Sequence, residues 1–140
     1  SLGLICKVFK LTIWYICHKM KGEGMTEFEV IFYEKENGEK PVEEFLLGLN
    51  VKMRAKMIGL LEILQEKGNQ LREPYSKHLE DGIFEVRCQS GSDITRILYF
   101  FYYRGTIVLS NGFIKKTQKT PRKEIELAKR RRADFMERMG

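Results

Sequence analysis

The sequence predicts an α+β fold: a small, mostly antiparallel sheet with an N-terminal helical hairpin on one face and a helix at the C-terminus. Two patterns and their order predict it. Apolar residues recur with helical spacing over the adjacent segments 41–49 and 50–67, whereas residues 83–113 hold three extended apolar runs separated by short turns. Helices and strands come in runs rather than in strict alternation, which favours segregated layers over a doubly wound parallel sheet.

The first strand is residues 27–33, EFEVIFY, rich in aromatic and β-branched side chains. A charged turn around Asn37-Gly38 follows. Pro41 suits the first turn of a helix, where its missing N–H is no loss, and Glu43 and Glu44 suit the positive end of the helix dipole. Val42, Phe45, Leu46 and Leu49 supply the apolar stripe. Asn50 is the predicted N-cap of a second helix running to about Lys67, with Gly68 as its C-cap. Its expected buried face is Val51, Ala55, Ile58, Leu61 and Leu64, widened by Met57 and Leu60. Residues 69–81 have turn residues and no period, and are expected to be a loop. The runs 83–88, 94–103 and 106–113, joined by QSGSD and Arg104-Gly105, predict an antiparallel meander. The first strand must join the same sheet, because a lone strand leaves its backbone groups unpaired. Thr120 is expected to cap the last helix, with Pro121 at its first position and a narrow apolar face of Ile125, Ala128 and Phe135.

With 140 residues the chain fits one domain whose core needs no disulfide staples. Hydrophobic content of 43% and charged content of 31% describe an ordered globular chain. The first 24 residues read differently. Their uncharged run 11–17 is far short of the roughly 20 residues of a membrane span. Lys21-Gly22-Glu23-Gly24 can be encoded by codons that spell a bacterial ribosome-binding sequence just ahead of Met25. Residues 1–24 are therefore expected to be a translated leader or other non-native extension, and residues 25–140 the domain. Cys6, Cys17 and Cys88 are odd in number and lack metal-ligand spacing, which points to a reducing, cytoplasmic compartment. The net charge is +6, but residues 1–103 hold 14 basic and 15 acidic side chains, and residues 104–140 hold 11 basic and 4 acidic. The whole excess sits in the last quarter, which favours a polyanionic partner.

The chain has two histidines, His18 and His78, and no Ser-His-Asp set, CxxC, HExxH or glycine-rich phosphate loop. That argues against a His-based general acid–base pair. The chemistry-bearing candidates are cations. If residues 90–93 form a loop, Gln89 lies opposite Ile94, Cys88 opposite Thr95 and Arg87 opposite Arg96. Two arginines directly opposed on one face repel each other. Either Glu85, two residues earlier on the same face, neutralises them, or the pair awaits an anion such as phosphate, which arginine binds in bidentate fashion. Lys115 and Lys116 end the last apolar strand, near the start of the strand that holds Arg96. Arg87, Arg96, Lys115 and Lys116 are expected to converge, with Lys119 and Arg122 extending the surface. On the last helix, Glu126 and Arg130, and Asp134 and Arg138, stand four apart as surface pairs. Lys129, Arg130, Arg131 and Arg132 wrap most of a turn and cannot all be paired, which suits a phosphate backbone or an acidic protein.

The stretches LEDGIFEVR, TRILYFFY and GFIKKTQKTPRKEIELAKRRRADF carry a resemblance over residues 25–140. The chain resembles the RelE/HigB toxin superfamily, specifically its phage-derived HigB-like branch of type II toxin–antitoxin systems. The resemblance implies a RelE-like fold and a toxin that inhibits translation as a ribosome-dependent mRNA endoribonuclease, or mRNA interferase, needing no metal or other cofactor. It implies the ribosome, mRNA and a cognate helix-turn-helix antitoxin as partners, with no membrane. By the same likeness Arg87 and Arg96 match the arginines of the family's active face, and Lys115 and Lys116 its basic position at the last strand's end. Glu85 stands where relatives place a lysine, and Phe135 occupies the helix where relatives carry a catalytic tyrosine. Arg87 and Arg96 are then expected to hold the scissile phosphate, and Lys115 or Lys116 to act as acid or base. Lys119, Arg122 and residues 129–132 are expected to bind RNA. Two alternatives stay open: a ParE-like toxin that poisons gyrase, and a non-catalytic nucleic-acid-binding module built on the basic helix.

Overall fold

The computed structural model describes residues 28–140. The expected leader, its boundary at Met25, Cys6, Cys17 and His18 lie outside the described residues. The elements are β1 (Glu29–Phe32), α1 (Pro41–Gly48), α2 (Val51–Lys67), β2 (Ser76–Glu80), β3 (Ile83–Ser90), β4 (Asp93–Tyr102), β5 (Thr106–Lys115) and α3 (Arg122–Met139). The five strands form one sheet in the order β1-β5-β4-β3-β2, with β1 parallel to β5 and the other pairs antiparallel. The α+β class and the meander are as the sequence predicts. The β1 edge joins the same sheet, and does so in parallel, as its distance from β5 in the chain permits.

Both faces of the sheet are covered. On one, α1 and α2 press Val42, Leu46, Met57, Leu61 and Leu64 onto Val86, Ile97, Tyr99, Ile107 and Leu109. On the other, Ala128 and Phe135 of α3 meet Ile83, Leu98, Phe100 and Val108. Burying each Leu or Ile contributes about 1.5–3 kcal/mol. This two-sided cover explains why β4 reads as a continuous apolar run rather than an alternation, with seven successive buried residues from Ile94 to Phe100. A Cβ on Gly112 of β5 would collide with the Phe45 ring, so the glycine lets α1 lie close against the strand.

Several local expectations change. Residues 76–80 are an edge strand, not part of a loop, because β3 offers a free edge for Lys77 and His78 to pair against. The β3–β4 connection is tighter than expected, since Ser90 pairs with Asp93 across Gly91 and Ser92, but the register is as predicted. Asn50 accepts the Met53 N–H and caps α2, and Gly68 ends it at a φ of 57°. The buried face of α2 holds Met57, Leu60, Leu61 and Leu64 as expected, but Val51 is 76% exposed and Ala55 also faces solvent, whereas Met53 and Gln65 are buried. Gln65 faces inward because its side-chain oxygen accepts the Val30 N–H of β1 at 3.0 Å. Thr120 does not cap α3, whose first turn has no side-chain cap. Its hydroxyl is used elsewhere.

Candidate functional site

The register of β3, β4 and β5 sets Arg96 between Arg87 on one side and Phe113 on the other. Glu85 lies two residues before Arg87 on the same face, fully buried. Its carboxylate accepts the Arg87 Nε–H at 2.8 Å and a second, shorter bond from Arg87 Nη2. The buried Thr120 hydroxyl donates to its other oxygen, and Arg96 Nε stands 3.7 Å from that same oxygen. Glu85 thus neutralises the pair in part: one carboxylate faces two guanidinium groups, leaving one positive charge in excess.

Arg96 is fully buried, with its guanidinium 5.6 Å from the Phe113 ring centroid. Burial lowers its pKa, opposed by Glu85 and reinforced by Arg87. Its Nη2 donates to the carbonyls of Thr117 and Gln118, the latter at 2.9 Å, while its Nε and Nη1 have no hydrogen-bond acceptor. Arg87 reaches the same segment: Nη1 donates to Gln118 Oε1 at 3.1 Å and Nη2 to the Gln118 carbonyl at 3.0 Å. The two arginines therefore hold the elbow between β5 and α3. Burial of Arg96 depends on how this elbow folds back, and no local signal in the sequence announces it.

The side chains of Lys115, Lys116 and Lys119 are exposed around this elbow, without a hydrogen bond or ion pair among the described residues. A groove of about 860 Å³ opens beside it, between α2 and the β3–β4 end of the sheet. Lys56, Gly59 and Ile63 of α2 form one wall, and Tyr75, Arg87 and Gln118 the other. Tyr75 is 54% exposed there. Sequence inspection missed Tyr75 and Lys56, because only the fold brings them beside Arg87.

The basic helix is used differently from expectation. Arg122 and Lys129 both bind Glu80 of β2, and Arg132 binds the carbonyl and carboxylate of Asp81. Arg131 donates to the Ser110 carbonyl at 2.8 Å and sits over the Tyr33 ring. Glu126 pairs with Arg122 rather than Arg130, while Asp134 and Arg138 pair as predicted. Of residues 129–132, only Arg130 makes no such contact among the described residues. The hydrogen bonds from Arg122 and Lys129 pull the Glu80 pKa down to about 2. His78 accepts the Gly82 N–H at 3.1 Å and packs on Phe84, bracing the β2–β3 turn.

Among the described residues no three or more of His, Cys, Asp and Glu gather as a metal site. No helix among them is long and apolar enough to cross a membrane. Comparison with curated proteins returns no match. The model of one family, phage-derived protein Gp49-like (DUF891), matches residues 44–133, which include α2, the whole meander, both strand arginines and most of α3. On that match, which spans well over half its length, the chain belongs to the phage-derived Gp49-like family.

Proposed function

We propose that this chain is the toxin of a type II toxin–antitoxin system and acts as a ribosome-dependent mRNA endoribonuclease. The observation that carries this reading is the opposed pair Arg87 and Arg96, one positive charge in excess over Glu85, at the foot of an exposed run of lysines. Membership of a phage-derived family agrees with it. In the proposed reaction a base takes the proton of the 2′-hydroxyl and the 2′-oxygen attacks the adjacent phosphorus. The bond to the 5′-oxygen breaks, and that oxygen takes up a proton. Arg87, whose side chain is 20% exposed, contacts the phosphate and stabilises the charge that builds on it. Arg96 supports the same centre from beneath. Lys115 and Lys116 are the candidates for the acid and base, and Lys119 and Arg130 for holding the RNA backbone. The reaction is proposed to need no metal.

The partners in this reading are the ribosome with its mRNA and a helix-turn-helix antitoxin, in the cytoplasm. Controlled expression in a bacterium tests it. We expect growth arrest, cuts in translated mRNA by primer extension, and relief by the neighbouring gene. Arg87→Ala at equal expression is expected to lose cleavage by on the order of 100-fold or more, the scale of one removed transition-state donor. Arrest with SOS induction and uncut mRNA would instead identify a gyrase poison.

A further inference from the structure

The segment 116–119 has no helix or strand, and its four residues are exposed. Among the described residues, apart from a bond within the segment, Thr117 Oγ1 to the Lys119 carbonyl at 3.3 Å, its hydrogen bonds are those received from Arg87 and Arg96. It is hinged between the last residue of β5, Lys115, and the anchored Thr120. None of its residues belongs to either apolar cluster, so the segment is held closed by these bonds rather than by packing.

What it covers is poorly matched to it. A guanidinium carries five N–H donors and a full charge. Two neutral carbonyls, of Thr117 and Gln118, face Arg96 Nη2, and the donors on Nε and Nη1 stay buried without an acceptor. Buried donors left unmade are costly, and an uncompensated charge more so. A phosphodiester has two paired oxygens in place of two carbonyls, and brings the negative charge that Glu85 alone does not supply. Gln118 and Arg87 also line the groove, whereas Arg96 does not. Moving Gln118 aside therefore opens the arginine centre towards that groove.

We propose that residues 116–119 are the built-in occupant of a phosphodiester seat, and that a nucleic-acid phosphate binds by displacing the Thr117 and Gln118 carbonyls from Arg96 and Arg87. This rests on the phosphate-handling reading of the arginine pair and adds its regulation: the free protein is latched shut. The Gln118 side chain is part of the latch, not of the seat.

The test uses the full chain, a single-stranded DNA oligonucleotide that lacks the 2′-hydroxyl, and inorganic phosphate as separate probes. The readouts are the Thr117 and Gln118 amide signals and the Arg96 Nε–H signal in NMR, with dissociation constants. We expect the oligonucleotide to move all three saturably, the Arg96 signal shifting as its donor gains an acceptor. Gln118→Ala, losing one bond that holds the latch, should bind about three- to tenfold tighter, the scale of one ordinary net hydrogen bond. If inorganic phosphate produces the same exchange, the seat takes a free phosphate group; if the oligonucleotide alone does, it takes a diester in a strand. Binding that leaves the Arg96 signal in place, or no tightening in Gln118→Ala, overturns the proposal. Exchange in a protein that cuts no mRNA would leave the latch standing and remove only the proposed nuclease activity.

Discussion

Glu85 is the residue on which the arginine pair depends. It is buried, accepts from Arg87 and Thr120, and lies within ion-pair distance of Arg96. Glu85→Gln would leave two guanidinium groups opposed with no carboxylate between them. We expect a loss of about 3–5 kcal/mol in urea unfolding, the scale of a broken buried pair. An unchanged midpoint would mean that water or the elbow screens the two charges. The opposition of Arg87 and Arg96 is legible in the sequence, because a short turn and period-two alternation set the register. Complete burial of Arg96 is not legible, since it comes from an elbow about twenty residues downstream.

At the level of elements, the C-terminal helix is held to the sheet by polar clamps as well as by Ile125, Ala128 and Phe135. Glu80 is the main clamp, taking both Arg122 and Lys129. Its pKa in the folded protein, about 2, lies below the ordinary glutamate value of 4.5. A depressed folded value means that the contribution is complete above about pH 4.5 and is lost as the pH falls towards 2. Amide exchange in α3 should therefore quicken over that window while the β4–β5 pair stays protected. Glu80→Gln should reduce this pH dependence, leaving the share of Asp134, whose carboxyl is also held low by the Tyr33 hydroxyl. The strand β2 that carries Glu80 was not legible, because SKHLE lacks β-branched residues and becomes a strand only through the free edge of β3. In α2, helical spacing found the helix and the inward Met57, Leu60, Leu61 and Leu64, but it misplaced Val51 and Ala55 and missed Met53 and Gln65, the last turned inward by the hydrogen bond from Val30.

Over the whole molecule, layer thickness and charge are both set by three-dimensional neighbours. Gly112→Ala would push a methyl into the Phe45 ring and lift α1 from the sheet. We expect about 1–3 kcal/mol of destabilisation, the cost of overpacking, read as a lower melting temperature. The basic excess after residue 104 is divided between internal glue and free surface. Arg132→Ala should lower thermal stability and leave the salt dependence of nucleic-acid binding nearly unchanged, because Arg132 is engaged by Asp81. Lys119→Ala should leave stability alone and reduce the slope of log affinity against log salt by about 0.7, the value of one phosphate contact on a single strand. Equal effects of the two changes on the slope would place α3 in the binding surface after all.

The sequence by itself determined the α+β class, the meander and its register, the caps of α2 and the concentration of positive charge, because these rest on local periodicity, turn chemistry and composition. Tertiary structure decided which of those charges are spent within the protein. Arg122, Lys129 and Arg132 meet acidic residues roughly forty to fifty positions away, and Arg96 disappears under an elbow. A guanidinium looks the same in the sequence whether it faces solvent or a carbonyl. Only the path of the chain supplies the acceptor, and with it the division between binding surface and scaffold.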